Sequence, residues 1–200
     1  MLLGVGVQIN AALDVRSLKR ALGELGKRTS RTALNRSLGR ARQVMKTEAK
    51  RGVARELNVR QRDITKSIKT KLYPSRGEAE LVISGPRIPL IDFKGTRGSR
   101  SRGVSFKVKP SGARQRLRRA FIATMDSGHR GVFERDLGKV KKRRPPKYAG
   151  LAIREKVGTT VVRAVDKPTF RYAVIGRGRE VFQAELDRQL SLARTKRGGF

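Results

Sequence analysis

Between Ser30 and Leu57 the apolar residues fall at Leu34, Leu38, Ala41, Met45, Ala49, Val53 and Leu57, in steps of three and four. That spacing places them on one stripe of an α-helix. Arg36, Arg40, Arg42, Lys46, Lys50, Arg51 and Arg55 fall mostly off the stripe. Ser30 or Thr32 is the expected N-cap, since a hydroxyl accepts from the unpaired N–H groups of a first turn, and Asn58 sits where a helix tends to stop. At 1.5 Å per residue the helix would be about 40 Å long, a span along which a whole domain can pack. Any fold of this chain must bury one seam of that helix and turn its cationic face towards solvent or something negative.

What the negative partner is becomes the question once the whole charge is counted. The chain has 200 residues, with 49 Lys and Arg against 16 Asp and Glu, a formal charge of +33. Self-repulsion of that size destabilises a compact monomer unless a polyanion or a partner assembly offsets it. Nucleic acid is the first candidate and an anionic membrane the second. The apolar fraction of 37% suffices for a core, and the length suits one domain or a domain with extensions. With no cysteine there is no disulfide framework and no thiolate chemistry, which fits synthesis inside a cell. The opening MLLGVGVQIN lacks the positive n-region of a signal peptide, and no apolar run approaches the roughly 20 residues of a membrane span. A soluble, strongly basic protein without a membrane partner is expected.

In chain order, Leu3, Val5, Val7 and Ile9 alternate with small or polar residues as a short strand does. Asp14 is positioned to cap a helix with Leu18, Ala21, Leu22 and Leu25 on its stripe and Gly26 at its C′ position. After the long helix, VRQRDITKSI reads as a short helix carrying Val59, Ile64 and Ile68. Two helices joined by a tight turn have the outline of a DNA reader, but packing in an α+β core is the simpler account. From Ile68 the period changes to two. IKTKL, AELVIS, IPLIDF, GVSFKVK, AFIATM and HRGVF are strand candidates, with Pro74 to Gly77 a hairpin loop. Val104, Phe106 and Val108 point one way while Ser105, Lys107 and Lys109 point the other, as in an antiparallel sheet with one solvated face.

Lys94 to Gly103 and Gly138 to Tyr148 read as flexible basic loops, because neither can bury enough apolar surface to offset its ordering entropy. Their cations (Lys94, Arg97, Arg100 and Arg102 in the first; Lys139, Lys141, Lys142, Arg143 and Arg144 in the second) join Arg36, Arg40 and Lys50 as candidate contacts to DNA or to an acidic neighbour. Residues 151–165 are expected to be partly helical. Val181, Phe182, Leu186, Gln189, Leu190 and Ala193 then make a helical seam. Gly176 and Gly178 argue against one unbroken helix, the conformation of Phe170 to Gly176 stays open, and the tail from Arg194 is expected to be mobile. The chain thus reads as α+β: a long amphipathic basic helix on a mostly antiparallel sheet. Residues 1–165 form one domain, and 166–200 form a C-terminal helical extension.

Chemistry has little to work with. The single histidine, His129, lies near Asp126, Glu134 and Asp136, a grouping from which a nuclease-like metal site or acid/base pair would have to be built. No HExxH, CxxC or spaced acidic set is present, nor a phosphate loop. GRGRE at Gly176 is too short and basic for a dinucleotide fingerprint. His129, flanked by Gly128 and Gly131, is read as a structural turn residue. No catalytic residue, metal or cofactor is expected. Aromatics are 5% of the chain, and Phe93, Phe106, Phe121 and Phe133 sit at core-facing spacing, whereas single-strand binders stack bases on exposed rings. What remains is charge without base readout.

Several strings carry a resemblance. RIPLI at Arg87 to Ile91, GVSFKVKP at Gly103 to Pro110 and AFIATMDSGHRGVFER at Ala120 to Arg135 resemble the minor tail protein Z family of lambda-like bacteriophages and prophages. ALNRSLGRARQVMKTEAKR followed by VRQRDITKSI is similar to that family's N-terminal half, so the resemblance covers roughly Ser30 to Thr160. The final segment departs from the family pattern at its glycines and at Pro168. The resemblance implies a virion structural protein, made in the host bacterial cytoplasm, that completes the tail where it meets the head. It implies a ring, commonly a hexamer, beside the tail terminator and head-tail connector proteins and the tape measure protein. Double-stranded DNA would pass its lumen without sequence specificity. The rival expectation is a cellular nucleic-acid-binding protein of ribosomal type, and the weakest is a nuclease using His129.

Overall fold

The structure, a computed structural model, describes residues 7–12, 27–136 and 152–198. The fold is α+β, with two long helices around a set of short antiparallel strands. Leu3 and Val5, the helix expected after Asp14 and the basic segment Gly138 to Tyr148, with Lys139, Lys141, Lys142, Arg143 and Arg144, lie outside the described residues.

Helix α1 (Lys27–Glu56) is the expected long helix. Leu38, Ala41, Met45, Ala49, Val53 and Leu57 are each no more than 3% exposed, and Leu34 is partly buried. The helix already includes Ser30 and Thr32, so neither caps it. Thr32 Oγ1 instead donates to the Arg28 carbonyl at 2.9 Å, the back-bonding that a hydroxyl adopts inside a helix. Asn58 does end the helical path. Its backbone N–H donates to Val108 O at 2.8 Å, and its Nδ2 donates to the carbonyls of Lys94 and Lys107 at 2.9 and 3.2 Å. Helix α2 (Gln61–Ser67) then packs into the core through Ile64, with Val59 and Ile68 buried on either side.

Strands β1 (Val7–Ala12), β2 (Ile68–Tyr73) and β3 (Glu78–Ile83) form an antiparallel sheet with β3 in the middle. Ala79, Leu81 and Ile83 alternate inward. IPLIDF is not one strand: β4 (Arg87–Pro89) gives way to a 3-10 turn at Leu90–Asp92. Leu90 and Phe93, 3% and 1% exposed, both enter the core. Residues three apart share a side on such a turn but lie on opposite faces of a strand. Strands β5 (Arg97–Ser99), β6 (Gly103–Phe106) and β7 (Gln115–Leu117) make a second antiparallel sheet. A third contains β8 (Ala120–Thr124), β9 (Arg130–Arg135) and β10 (Ile153–Glu155), while β11 (Val157–Thr160) pairs with β4.

The segment 152–165 is helical in part, as expected. Its helix is only α3 (Val161–Val165), capped by the Thr160 hydroxyl, which accepts from Arg163 N at 3.2 Å. The rest is extended because β10 docks on β9. Gly158 lets β11 pass Phe93 so closely that a Cβ there would lie 2.8 Å from the ring.

Helix α4 (Pro168–Gly198) runs unbroken through Gly176 and Gly178, against expectation, and resolves Phe170 to Gly176 as helical. Its backbone stays helical to Gly198, where a mobile tail was expected. Pro168 stands at the first helical position, where a missing N–H is harmless. Gly178 meets Met45 of α1, and a Cβ there would sit 2.6 Å from Met45 Cγ. Gly52 of α1 likewise makes room for the Phe170 ring. The two helices are antiparallel: Glu56 reaches Lys167 at one end and Arg36 reaches Gln189 at the other. A glycine inside a helix costs roughly 1 kcal/mol relative to alanine, and at Gly178 close interhelical packing outweighs that penalty. Val174 joins the main core, while Phe182 and Leu186 close a smaller cluster with Leu38 and Ala41.

Candidate polyanion interface

The register of the β5–β6–β7 sheet sorts its side chains into two faces. Arg97 lies opposite Ser105, and Ser105 opposite Arg116; one step along, Gly98, Val104 and Leu117 form the next row. Directly paired residues point to the same side. The second row is the inner one. Val104 is fully buried, and a Cβ on Gly98 would lie 3.3 Å from Ile122 Cδ1. The first row, Arg97, Ser105 and Arg116, is therefore the outer one, and Ser99 joins it by alternation along β5. Arg102, from the turn between β5 and β6, completes an open cleft of about 300 Å³ with these residues.

This corrects the expectation that residues 94–103 are a flexible loop. Apolar burial is indeed slight there, but the backbone pairs with β6 and side chains fasten its start. Thr96 Oγ1 donates to the carbonyls of Leu90 and Phe93, each at 2.8 Å. Arg114 Nη1 donates to Gly95 O at 2.9 Å and to Ser105 Oγ at 3.2 Å. Gly103 has φ 73°, and a Cβ on it would collide with the carbonyl oxygens of Leu117 and Arg118, so no other residue fits where the hairpin enters β6.

Lys94, Arg97, Arg100 and Arg102 are all exposed on this hairpin, so four of the candidate contacts share one element. No hydrogen bond or ion pair joins the guanidinium groups of Arg97, Arg102 or Arg116 to another described residue. Arg36 and Arg40 line a different cleft, along α1 and α4, with Glu185, Arg188 and Gln189. Arg36 donates to Gln189 Oε1 at 3.3 Å. Lys50 is half-buried further along α1. Sequence reasoning missed Ser99, Arg114 and Arg116, and took Ser105 only as a solvated strand position. The usable signal was ARQRL, whose arginines recur at every second residue before Leu117.

Some charges along the helix pair are compensated. Arg188 holds Glu185 in a two-pronged grip, with Nη2 to Oε1 at 2.7 Å and Nε to Oε2 at 3.0 Å. Gln189 adds a third bond at 2.7 Å. These bonds, that from Arg188 foremost, bring the Glu185 carboxyl down to about 2. The hydrogen bond from Lys167 lowers Glu56 in the same way. Asp92 moves upward instead, because burial disfavours its charge and Asp63 repels it.

His129 sits in the turn between β8 and β9, where Gly128 has φ 78°. Its Nε2 lies 3.0 Å from Glu155 Oε1, and its ring meets Phe133 edge-on at 6.2 Å. Gly131 keeps that contact open, since a Cβ there would be 2.8 Å from both Glu155 Oε1 and the Phe133 ring. Glu134 pairs with Lys156, and Asp136 pairs with Arg154 at 2.9 Å. Among the described residues no three His, Asp or Glu side chains come together as metal ligands. Phe93, Phe106 and Phe133 are buried, and Phe121 packs at 6.3 Å from Phe133 with the Arg135 guanidinium 4.6 Å above its ring. No helix among the described residues is long and apolar enough to cross a membrane.

RIPLI, GVSFKVKP and AFIATMDSGHRGVFER occupy β4 and its turn, β6 and the stretch after it, and the β8–β9 hairpin. No protein-family profile, curated protein or solved structure matches the chain.

Proposed function

We propose that this chain is a non-enzymatic structural protein of a phage neck, forming a ring (a hexamer in the family it resembles) that completes the tail and joins it to the head connector. The observation that carries the reading is the outer face of the β5–β6–β7 sheet, where arginines stand without carboxylates in a chain of charge +33. A lone copy gains nothing from such a face. Repeated around a ring, it supplies a collar of positive charge for the genome end or for acidic neighbours such as the tail terminator, connector or tape measure proteins. Subunit contacts then contribute stability that an isolated, self-repelling chain lacks. The resemblance of RIPLI, GVSFKVKP and AFIATMDSGHRGVFER to the tail protein family supports the neck in particular.

Mass analysis of purified virions from a phage or induced prophage encoding this chain is the test. Recovery of the chain in full particles at a fixed copy number per tail is the expected result. Its absence from particles, with recovery in ribosomal fractions, would replace this reading with the ribosomal one. Changing Lys141, Lys142, Arg143 and Arg144 to Glu is expected to leave tails that assemble but fail to join heads. Normal infectivity would remove that segment from the mechanism.

A further inference from the structure

We infer that the outer face of the β5–β6–β7 sheet is a phosphodiester site, which takes the backbone of duplex DNA on Arg97, Arg102 and Arg116 with Ser99 and Ser105 as hydroxyl donors. The inference deepens the function proposed above and rests on it for one point, that the polyanion is a DNA duplex.

The register supplies the first argument. Arg97 and Arg116 flank Ser105 on adjacent strands, so at the usual strand spacing their Cα atoms lie about 10 Å apart. Arg102 faces the same cleft. Like charges in such a row repel one another, and an anion with several oxygens relieves the repulsion at once. The second argument is chemical. The cations of the cleft are all guanidinium groups, which meet phosphate oxygens in two-pronged fashion. Ser105 Oγ accepts from Arg114, which leaves its own O–H to donate outward. Arg114 is thus a positioning residue: it holds the hydroxyl and, through Gly95 O, the start of the hairpin.

The third argument separates DNA from an acidic protein. Protein interfaces draw their energy from buried aromatic and aliphatic anchors, and the cleft is lined by arginine, serine and glycine alone. It carries no ring on which an unpaired base would stack. Guanidinium and hydroxyl groups on short strands touch the backbone and leave the bases unread, as sliding along any sequence requires.

The full chain titrated against a labelled mixed-sequence DNA duplex, by fluorescence anisotropy over a range of salt, tests the site. Each phosphate contact contributes a slope of about 0.9 in log K against log salt, so R97Q/R102Q/R116Q should lower the slope by about 2.7 and the affinity about a hundred-fold near 0.15 M salt. Arg→Lys at the same three positions should keep the slope, which separates lost charge from lost folding. K69Q/K71Q/R163Q removes equal charge from other exposed positions and should lower the slope by less than half as much. An unchanged slope in the arginine variant overturns the site, as does an equal loss in the control. So does tenfold tighter binding of polyglutamate or of duplex RNA. If the chain proves absent from virions while the arginine dependence holds, the neck reading fails and the phosphodiester face stands.

Discussion

Along α1 and α4 several charged groups have partners: Arg188 with Glu185, Arg51 with Glu48 and, just before α4, Lys167 with Glu56. Others, such as Arg42, Lys46 and Arg55, form no hydrogen bond or ion pair with another described residue. Across the β5–β6–β7 sheet, Arg97, Arg102 and Arg116 have none among the described residues. Both regions have one apolar side and one cationic side, so amphipathicity alone does not distinguish them. A matched ion pair serves the fold that contains it. A row of unmatched guanidinium groups opposes its own fold and persists where something outside the chain completes it. The helix pair is read as scaffold because its apolar seam builds the core, and the sheet face as the working surface because its cleft is lined by unmatched arginines.

The strongest way to break that division is to remove the scaffold's seam. Leu186 is fully buried against Leu38, Ala41 and Phe182, and Leu186→Ala should lower stability by about 3 kcal/mol in urea denaturation, through lost transfer energy and the cavity left behind. A loss below about 1 kcal/mol would mean that α4 is loosely held and not scaffold at all.

The two helix glycines sharpen the point at slightly smaller effect. Gly178 lies so close to Met45 that a Cβ there would force the Met45 side chain to shift, whereas nothing lies within 4 Å of a Cβ on Gly176. Gly178→Val should cost about 2 kcal/mol through overpacking. Gly176→Ala should raise the melting temperature, gaining up to about 1 kcal/mol from helix propensity. Equal effects at both positions would show that the close approach of α1 and α4 does not matter.

These glycines also show where the sequence stops being legible. The seam of α1 and the alternation of β3 and β6 were readable, because each is a local period imposed by one buried face. Gly178 looked like a helix breaker because its compensation comes from Met45, on a helix far away in the chain. Residues 94–103 looked like a loop because their order comes from pairing with β6 and from Arg114 and Thr96, not from apolar residues of their own. The strands within 152–165 were not read at all, because docking on β9 and passage beside Phe93 are invisible to a local window. The same limit applies to the site. The hairpin arginines stood out as charge, but Arg116 and Ser105 became neighbours only through strand register.

Acid titration reads the scaffold's matched charges. The folded-state carboxyl of Glu185 is depressed to about 2 from 4.5, so its contribution is complete above the ordinary carboxylate range and is lost as pH falls towards about 2. Glu185→Gln should cost about 0.5–1 kcal/mol at neutral pH, the usual worth of a well-formed pair near the surface. The difference between wild type and variant should vanish in that acid window. Asp92 has the opposite sign: its raised pKa favours the fold below the ordinary range and is lost as pH rises through the shifted value, so Asp92→Asn should help near neutral pH.

The smallest effect bears most directly on the comparison. If the outer face of the sheet serves a partner and not the fold, R97Q/R102Q/R116Q should leave stability within about 0.5 kcal/mol of wild type, the range of surface changes away from packed features. The sign should be favourable at low salt, because removing like charges relieves repulsion. The gain should shrink as salt rises, since the Debye length falls from about 30 Å at 0.01 M to about 3 Å at 1 M. Thermal melts of both proteins across that range measure it. A destabilised variant would mean that these arginines bind acidic groups of their own chain, and the contrast between scaffold and working face would collapse. A stabilised one, losing its grip on duplex DNA in the same tube, would show that the charge is retained against the interest of the fold.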